Sequence, residues 1–278
     1  MKAILILTDF SENAFRAAEY VCALAGPLRV DRVVLYHVYQ TVIVGTDMPA
    51  TLDGNQIYTD SMQQLRLIRD RLKPMLGSQV RIDLIAEDAH LSDRINPFCR
   101  EQAIDIVVMG ISGKSAIEKL LLGSTTTSIQ RTSEFPVLMV PGDAGVGKPL
   151  GSIMFSADLH GDLPTETANQ LLELLGAFNA DLHVAHVESD EEEKLSDQKR
   201  GLLSNLRSKL AGYNPNFHFV QGEDIPDRIL ALSHEFHASM IVTIHRQHGF
   251  FSSLFRQRIS KKLIYDSPIP LLSLPDLS

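Results

Sequence analysis

Three glycines carry the most interpretable chemistry in this 278-residue chain. Gly110 and Gly113 follow an apolar run ending at Met109. Gly123 stands with Ser124 at the head of the hydroxyl-rich stretch Ser124 to Thr127, which completes the pattern Gly-x2-Gly-x9-Gly-Ser. Glycine admits positive φ and lets a ligand approach main-chain N–H groups, because no Cβ stands in the way. A helix opening at Gly123-Ser124 would add unpaired N–H donors and the positive end of its dipole. Phosphate is the natural guest of such a nest. The hydroxyls of Ser124, Thr125, Thr126 and Thr127 could donate to it or act as redundant helix N-caps, and the residues alone leave both roles open.

Other spacings imitate known sites and fail on detail. Gly113-Lys114-Ser115 mimics the end of a Walker A loop, but Val108 stands where that loop needs its first glycine. Gly145-Val146-Gly147-Lys148 is followed by Pro149 and reads as linker. His245-Arg246-Gln247-His248 has Gln247 where a nucleotidyltransferase HxGH motif needs glycine. Three His-x2-His pairs invite a metal reading, yet His183 and His186 lie on a predicted strand and point to opposite faces. Only His234 and His237 share a helical face, and no metal site is assigned. Cys22 and Cys99 sit in apolar helical patterns, with neither a disulfide framework nor zinc spacing.

The elements that must position these residues repeat once along the chain. The strand closed by Thr8-Asp9-Phe10 returns as the one closed by Ala157-Asp158, and Tyr36-His37-Val38 returns in the same register as Ala185-His186-Val187. Phe135-Pro136-Val137 through Pro141 returns as Ile269-Pro270-Leu271 through Pro275. The stretch Gly142 to Leu150, rich in glycine and without apolar periodicity, reads as the linker. Continuous apolar runs predict strands at Ile4 to Leu7, Val33 to Val38, Val80 to Ile85, Ile106 to Met109 and Val137 to Val140. The second half predicts them at Ser152 to Phe155, Leu182 to Val187, Phe217 to Val220, Met240 to Ile244 and Leu271 to Leu274. Runs that do not alternate suit parallel strands buried on both faces, with helices between them. The acidic run Glu188 to Glu193 predicts the start of a solvated helix, and the long connection Gln40 to Gln56 could close over a ligand as a lid.

In an open parallel sheet, ligands sit beyond the carboxyl ends of the strands where the strand order reverses. Asp9 and Gly110 converge there if the first and fourth strands are neighbours. Asp9 with Glu12, or Ser11, could equally cap the following helix. Aligned to Gly110 and Gly113, the second half offers His245 and His248, and Arg256-Gln257-Arg258-Ile259 falls where Gly123-Ser124 would be. A Cβ at each such position closes the approach to the backbone.

Lys and Arg number 26 against 34 Asp and Glu, a net charge of −8, with 44% hydrophobic residues. An acidic chain is a poor phosphate-backbone binder, since that affinity comes from clustered cations, so no nucleic acid partner is expected. No apolar stretch reaches the length of a membrane span, and the amino-terminal run is too short for a signal peptide, which makes the cytoplasm the expected location.

With Thr8-Asp9-Phe10-Ser11, Tyr36-His37-Val38 and Gly110-x2-Gly113-x9-Gly123-Ser124 in view, the chain resembles a tandem universal stress protein over nearly its whole length. The resemblance implies an α/β fold of two tandem doubly wound five-stranded parallel sheets, each ordered 3-2-1-4-5, Rossmann-like and similar to adenine nucleotide alpha hydrolases. It implies one domain over 1–142 and a degenerate second over 150–278. The glycine spacing resembles the ATP-binding branch of the family, which implies ATP, with or without magnesium, as the ligand of the first domain. Asp9 and Val38 would hold the adenine and ribose end. Gly110, Gly113, Gly123, Ser124 and Thr125 would wrap the phosphates, with Met109 and Thr126 completing the set. Leu7 departs from the proline common in the family, a change that removes no donor.

The resemblance also implies a pseudo-dimer within the chain, formed through the last strands, and is compatible with pairing of chains into a homodimer. The expected function is stress-response regulation by ATP binding in the first domain. A nucleotide-independent scaffold or small-ligand carrier using the second domain is the alternative, and slow ATP hydrolysis a third. No general base, Walker B element or catalytic loop is identifiable, so no catalytic residue is assigned.

Overall fold

A computed structural model of the chain describes residues 2–41, 54–111, 124–145, 150–159, 161–188, 197–222, 224–245 and 262–277. It divides into two compact units, with the change at Gly142 and Asp143. In the first, β1 (Lys2–Leu7), α1 (Glu12–Ala25), β2 (Val30–Tyr39), α2 (Gly54–Leu76), β3 (Arg81–Asp88), α3 (Leu91–Glu101), β4 (Ile106–Ile111), α4 (Ser124–Thr132) and β5 (Val137–Pro141) alternate along the chain. All strand pairings are parallel, in the order β3-β2-β1-β4-β5. The uninterrupted apolar runs are the central strands. Ile4, Leu5, Ile6, Val107, Val108 and Met139 are buried, as strands covered on both faces must be.

The edge strand β3 is only half-buried and carries Arg81, Asp83, Glu87 and Asp88, charges that discourage further strand pairing. Arg32 of β2 reaches across it, donating from Nε to Asp83 (2.8 Å) and from its two Nη atoms to the Gln102 carbonyl (2.6 Å) and side-chain oxygen (2.7 Å). Arg94 of α3 pairs with Glu87 and Glu101, and Glu87 also accepts from the Tyr36 hydroxyl at 2.6 Å.

The second unit repeats this plan with β6 (Ser152–Ser156), α5 (Thr165–Phe178), β7 (Asp181–Glu188), α6 (Asp197–Leu210), β8 (Asn216–Gln221), α7 (Ile225–Glu235), β9 (Met240–His245) and β10 (Leu271–Pro275). Its order, β8-β7-β6-β9-β10, is that of the first unit strand for strand. The duplication extends to single hydrogen bonds. Thr8 N donates to Tyr36 O and Ala157 N to Ala185 O; Val107 N donates to Pro136 O and Ile241 N to Pro270 O. The hydroxyls of Ser133 and Ser267 close the same turn onto Phe135 O and Ile269 O. Left-handed backbone recurs at Phe10 and Leu159, and at Ala103 and His237. Each half therefore has the predicted 3-2-1-4-5 parallel architecture.

Three local expectations change. Gln56 lies on α2, not in a loop, and residues 42–53 of the expected lid fall outside the described residues. Glu188 ends β7 and pairs with Lys199 at 3.1 Å instead of opening a helix; the rest of the acidic run lies outside the described residues. The β-ladders correct the alignment of the halves. Gly110 stands opposite Val140, and Ile244 stands opposite Leu274. Ile6 pairs with Val108 as Phe155 pairs with Val242. The counterpart of Gly110 is thus Ile244, one residue before His245.

Candidate functional site

The site forms where β1 and β4 lie side by side and the chain leaves β1 for α1. Phe10 N donates to Thr8 Oγ1 (3.0 Å), Ser11 N to Asp9 Oδ1 (3.0 Å), and Ala14 N to Ser11 Oγ (3.2 Å). Ser11 is therefore the N-cap of α1, and Asp9 braces the turn before it. Phe10 has φ 66°, a left-handed conformation that costs a residue with a Cβ ~1–2 kcal/mol. The Thr8 hydroxyl and the His37 ring, 4.2 Å from the Phe10 ring, hold it there. His37 Nδ1 lies 2.8 Å from Thr8 O; a carbonyl only accepts, so Nδ1 carries the proton. Asp9 is exposed and Val38 half-buried, both at the carboxyl ends of their strands.

Gly110 has a packing role that sequence reasoning missed. A Cβ there would come within 2.3 Å of Asn13 O, 2.5 Å of Asn13 C and 2.7 Å of Ala14 N. The first turn of α1 rests directly on β4, with its backbone where a side chain would be. A Cβ on Gly142 would in turn meet Asn13 Oδ1 at 2.2 Å. Met109 and Thr126 are buried, and α4 opens at Ser124. Gly113 and Gly123 lie outside the described residues, as do the side chains of Ser124 and Thr125.

The equivalent corner of the second unit is lined by Asp158 among mostly apolar side chains. Ala157, Asp158 and Leu159 repeat the turn, and Leu159, left-handed like Phe10, is buried. Leu163, Leu202, Leu206 and Ile244 surround a cavity of about 20 Å³, room for a single water. His186 repeats the contact of His37, with Nδ1 2.9 Å from Ala157 O. Glu188 holds the position of Tyr39, 3.6 Å from His186 Nε2. His183 turns the other way, toward His218. Among the described residues no group of three His, Cys, Asp or Glu side chains could hold a metal ion. Burial pushes both cysteine thiols up to about 12, so neither is a thiolate at neutral pH.

The universal stress protein family model matches residues 1–141 of the chain. The chain belongs to the universal stress protein family. Among its relatives, universal stress protein MJ0577 of Methanocaldococcus jannaschii is 28% identical over 156 residues, covering 50% of this chain and 94% of that one. Universal stress protein MJ0531 of the same organism is 23% identical over 141 residues, covering 50% and 81%. A universal stress protein structure from Archaeoglobus fulgidus superimposes with a TM-score of 0.75, covering 99% of this chain and 98% of its own at 19% identity, a likeness of fold. Among the described residues of this universal stress protein, no helix is long and apolar enough to cross a membrane.

Proposed function

We propose that this universal stress protein binds ATP at the carboxyl edge of its first unit and acts as a regulatory, non-catalytic nucleotide sensor. The observation carrying this reading is the contrast at one register position. Around Gly110 the strand ends present exposed Asp9 and half-buried Val38, whereas around Ile244 their counterparts Asp158 and Val187 are half-buried and buried, and Asp158 faces a hollow walled by Leu159, Leu163, Leu202 and Leu206 with room for one water. In this reading Asp9 and Val38 take the adenosine and Gly110, Gly113, Gly123, Ser124 and Thr125 cradle the phosphates, with Met109 and Thr126 supporting them. Domain one spans 1–142, and the degenerate domain 150–278 binds no nucleotide.

Calorimetric titration of the full chain with ATP tests this, with cyclic AMP as competitor. One nucleotide per chain is expected. Asp9→Ala should weaken binding at least tenfold, an effect of about 1.4 kcal/mol, and Asp158→Ala should leave it unchanged. Two nucleotides per chain, or sensitivity to Asp158 instead of Asp9, would overturn the assignment. Phosphate release should match buffer with and without magnesium.

A further inference from the structure

The face of the second unit's sheet next to α7 holds two imidazoles that the nucleotide reading does not use. His183 of β7 and His218 of β8 meet with Nδ1 of the first 2.9 Å from Nε2 of the second. Their ring planes are inclined to each other by 13°, with centroids 5.2 Å apart. That separation is the bond plus two ring radii, so the rings meet edge to edge through an N–H···N bond. Phe236, just past the end of α7, lies over both, its ring centroid 4.8 Å from that of His183 and 4.2 Å from that of His218.

Such a bond needs one bare nitrogen, because an imidazolium has two donors and no acceptor. A first proton can be shared along the bond. A second leaves two N–H groups pointed at each other, with like charges beneath an apolar ring. Burial lowers the pKa of both rings from the ordinary 6.5, and His183 lowers that of His218 further. Asp181 of β7 acts on His183 and Glu235 of α7 on His218; both attract protons without reversing the shift. His234 and His237, exposed beside Phe236, are the remaining titratable neighbours in that turn.

We propose that the His183–His218 pair is a proton-operated latch, holding the edge strand β8 and the end of α7 to the second unit at neutral pH and releasing them on acidification. Among the described residues β8 pairs with β7 alone and stands at the end of the strand order, so opening the latch frees a strand edge without dismantling the rest of the sheet. The linkage sign is fixed. The unfolded histidines bind protons first, so the latch contributes fully above pH 6.5 and is lost as pH falls below it.

Hydrogen exchange of the full chain at pH 7.5 and 5.5, corrected for intrinsic exchange rates, tests this. Peptides covering β8 and the end of α7 should lose about tenfold in protection, the effect of one proton over one pH unit, while those of β1 and β6 do not change. His218→Gln puts a non-titrating donor and acceptor near the site of Nε2, and should keep β8 protected with no pH step; His183→Gln should do the same. Unchanged protection of β8 in the natural protein would overturn the latch, and so would an undiminished step in the folded glutamine variants.

Discussion

Replacing Gly110 with alanine is the most direct test of how the first unit is built. The new Cβ would lie 2.3 Å from Asn13 O, whereas ordinary contact begins at 3.4 Å. The start of α1 or the end of β4 must therefore move by roughly 1 Å, the size of misfit that costs overpacked cores ~1–3 kcal/mol. The three nearest atoms all belong to the helix backbone, so no rotamer change relieves the clash. A retreat of α1 would also loosen Phe15, Tyr20, Val21 and Leu24, which it buries. We expect the upper end, about 3 kcal/mol, and a melting temperature lower by roughly 10 °C. Gly26→Ala is the control. Gly26 has φ −64° and nothing within 4 Å of its Cβ position, so alanine there should stabilise by ~0.4–1 kcal/mol. Thermal and urea unfolding of both variants decides the matter: a Gly110→Ala protein melting within two degrees of the parent would mean that α1 does not rest on β4. Because the substitution disturbs the helix, lost nucleotide affinity in this variant would not identify a ligand contact.

Two further substitutions probe the frame. Thr167, fully buried, donates to Pro275 O at 2.9 Å and accepts from Leu277 N; Thr167→Val should cost ~1–3 kcal/mol in urea unfolding by leaving the carbonyl of Pro275 without this donor, and a neutral result would refute that bond. Arg32→Met should cost ~1–3 kcal/mol at pH 7, a figure that allows for partial solvent screening. Burial raises the Asp83 pKa, but hydrogen bonds from Arg32 and Arg81 outweigh it and hold the carboxyl below its ordinary value of 3.8. The Asp83 part of the penalty is therefore present above that value and fades as pH falls below it, so a penalty independent of pH from 7 to 3 would contradict the pairing.

Strands buried on both faces write themselves as unbroken apolar runs, which is why Ile4 to Leu7 or Val137 to Val140 were legible and why their alternation with helices led to the parallel sheet. The pairing of Tyr36-His37-Val38 with Ala185-His186-Val187 was legible too, and its physical basis is now specific: each histidine fixes the carbonyl that leaves the first strand of its half, at Thr8 or Ala157. Gly110 was legible as a glycine whose Cβ would be harmful, but what it would strike was not. That depends on which helix backbone lies over β4, and nothing about Asn13 announces it. The register error at His245 has a similar origin. The end of β9 carries no glycine to mark the position, and only the ladder to β10 fixes Ile244 as the equivalent. The contact between His183 and His218 was hidden because it joins neighbouring strands whose spacing in sequence carries no period.

The divergence of the halves is more than a lost glycine. In the first unit the connection from β1 to α1 runs only from Thr8 to Ser11, and Gly110 lets the helix begin against the sheet. In the second, Ile244 holds the register position of Gly110, and the connection from β6 to α5 lengthens to Ala157 through Pro164. The added segment brings Leu163 into the corner, where Lys209 of α6 fixes it by donating to Asp162 at 3.0 Å and to the Leu163 carbonyl. Side chain, loop and helix start thus differ together between the halves. Restoring glycine at position 244 alone would therefore leave a cavity among leucines, which favours collapse or water over a triphosphate.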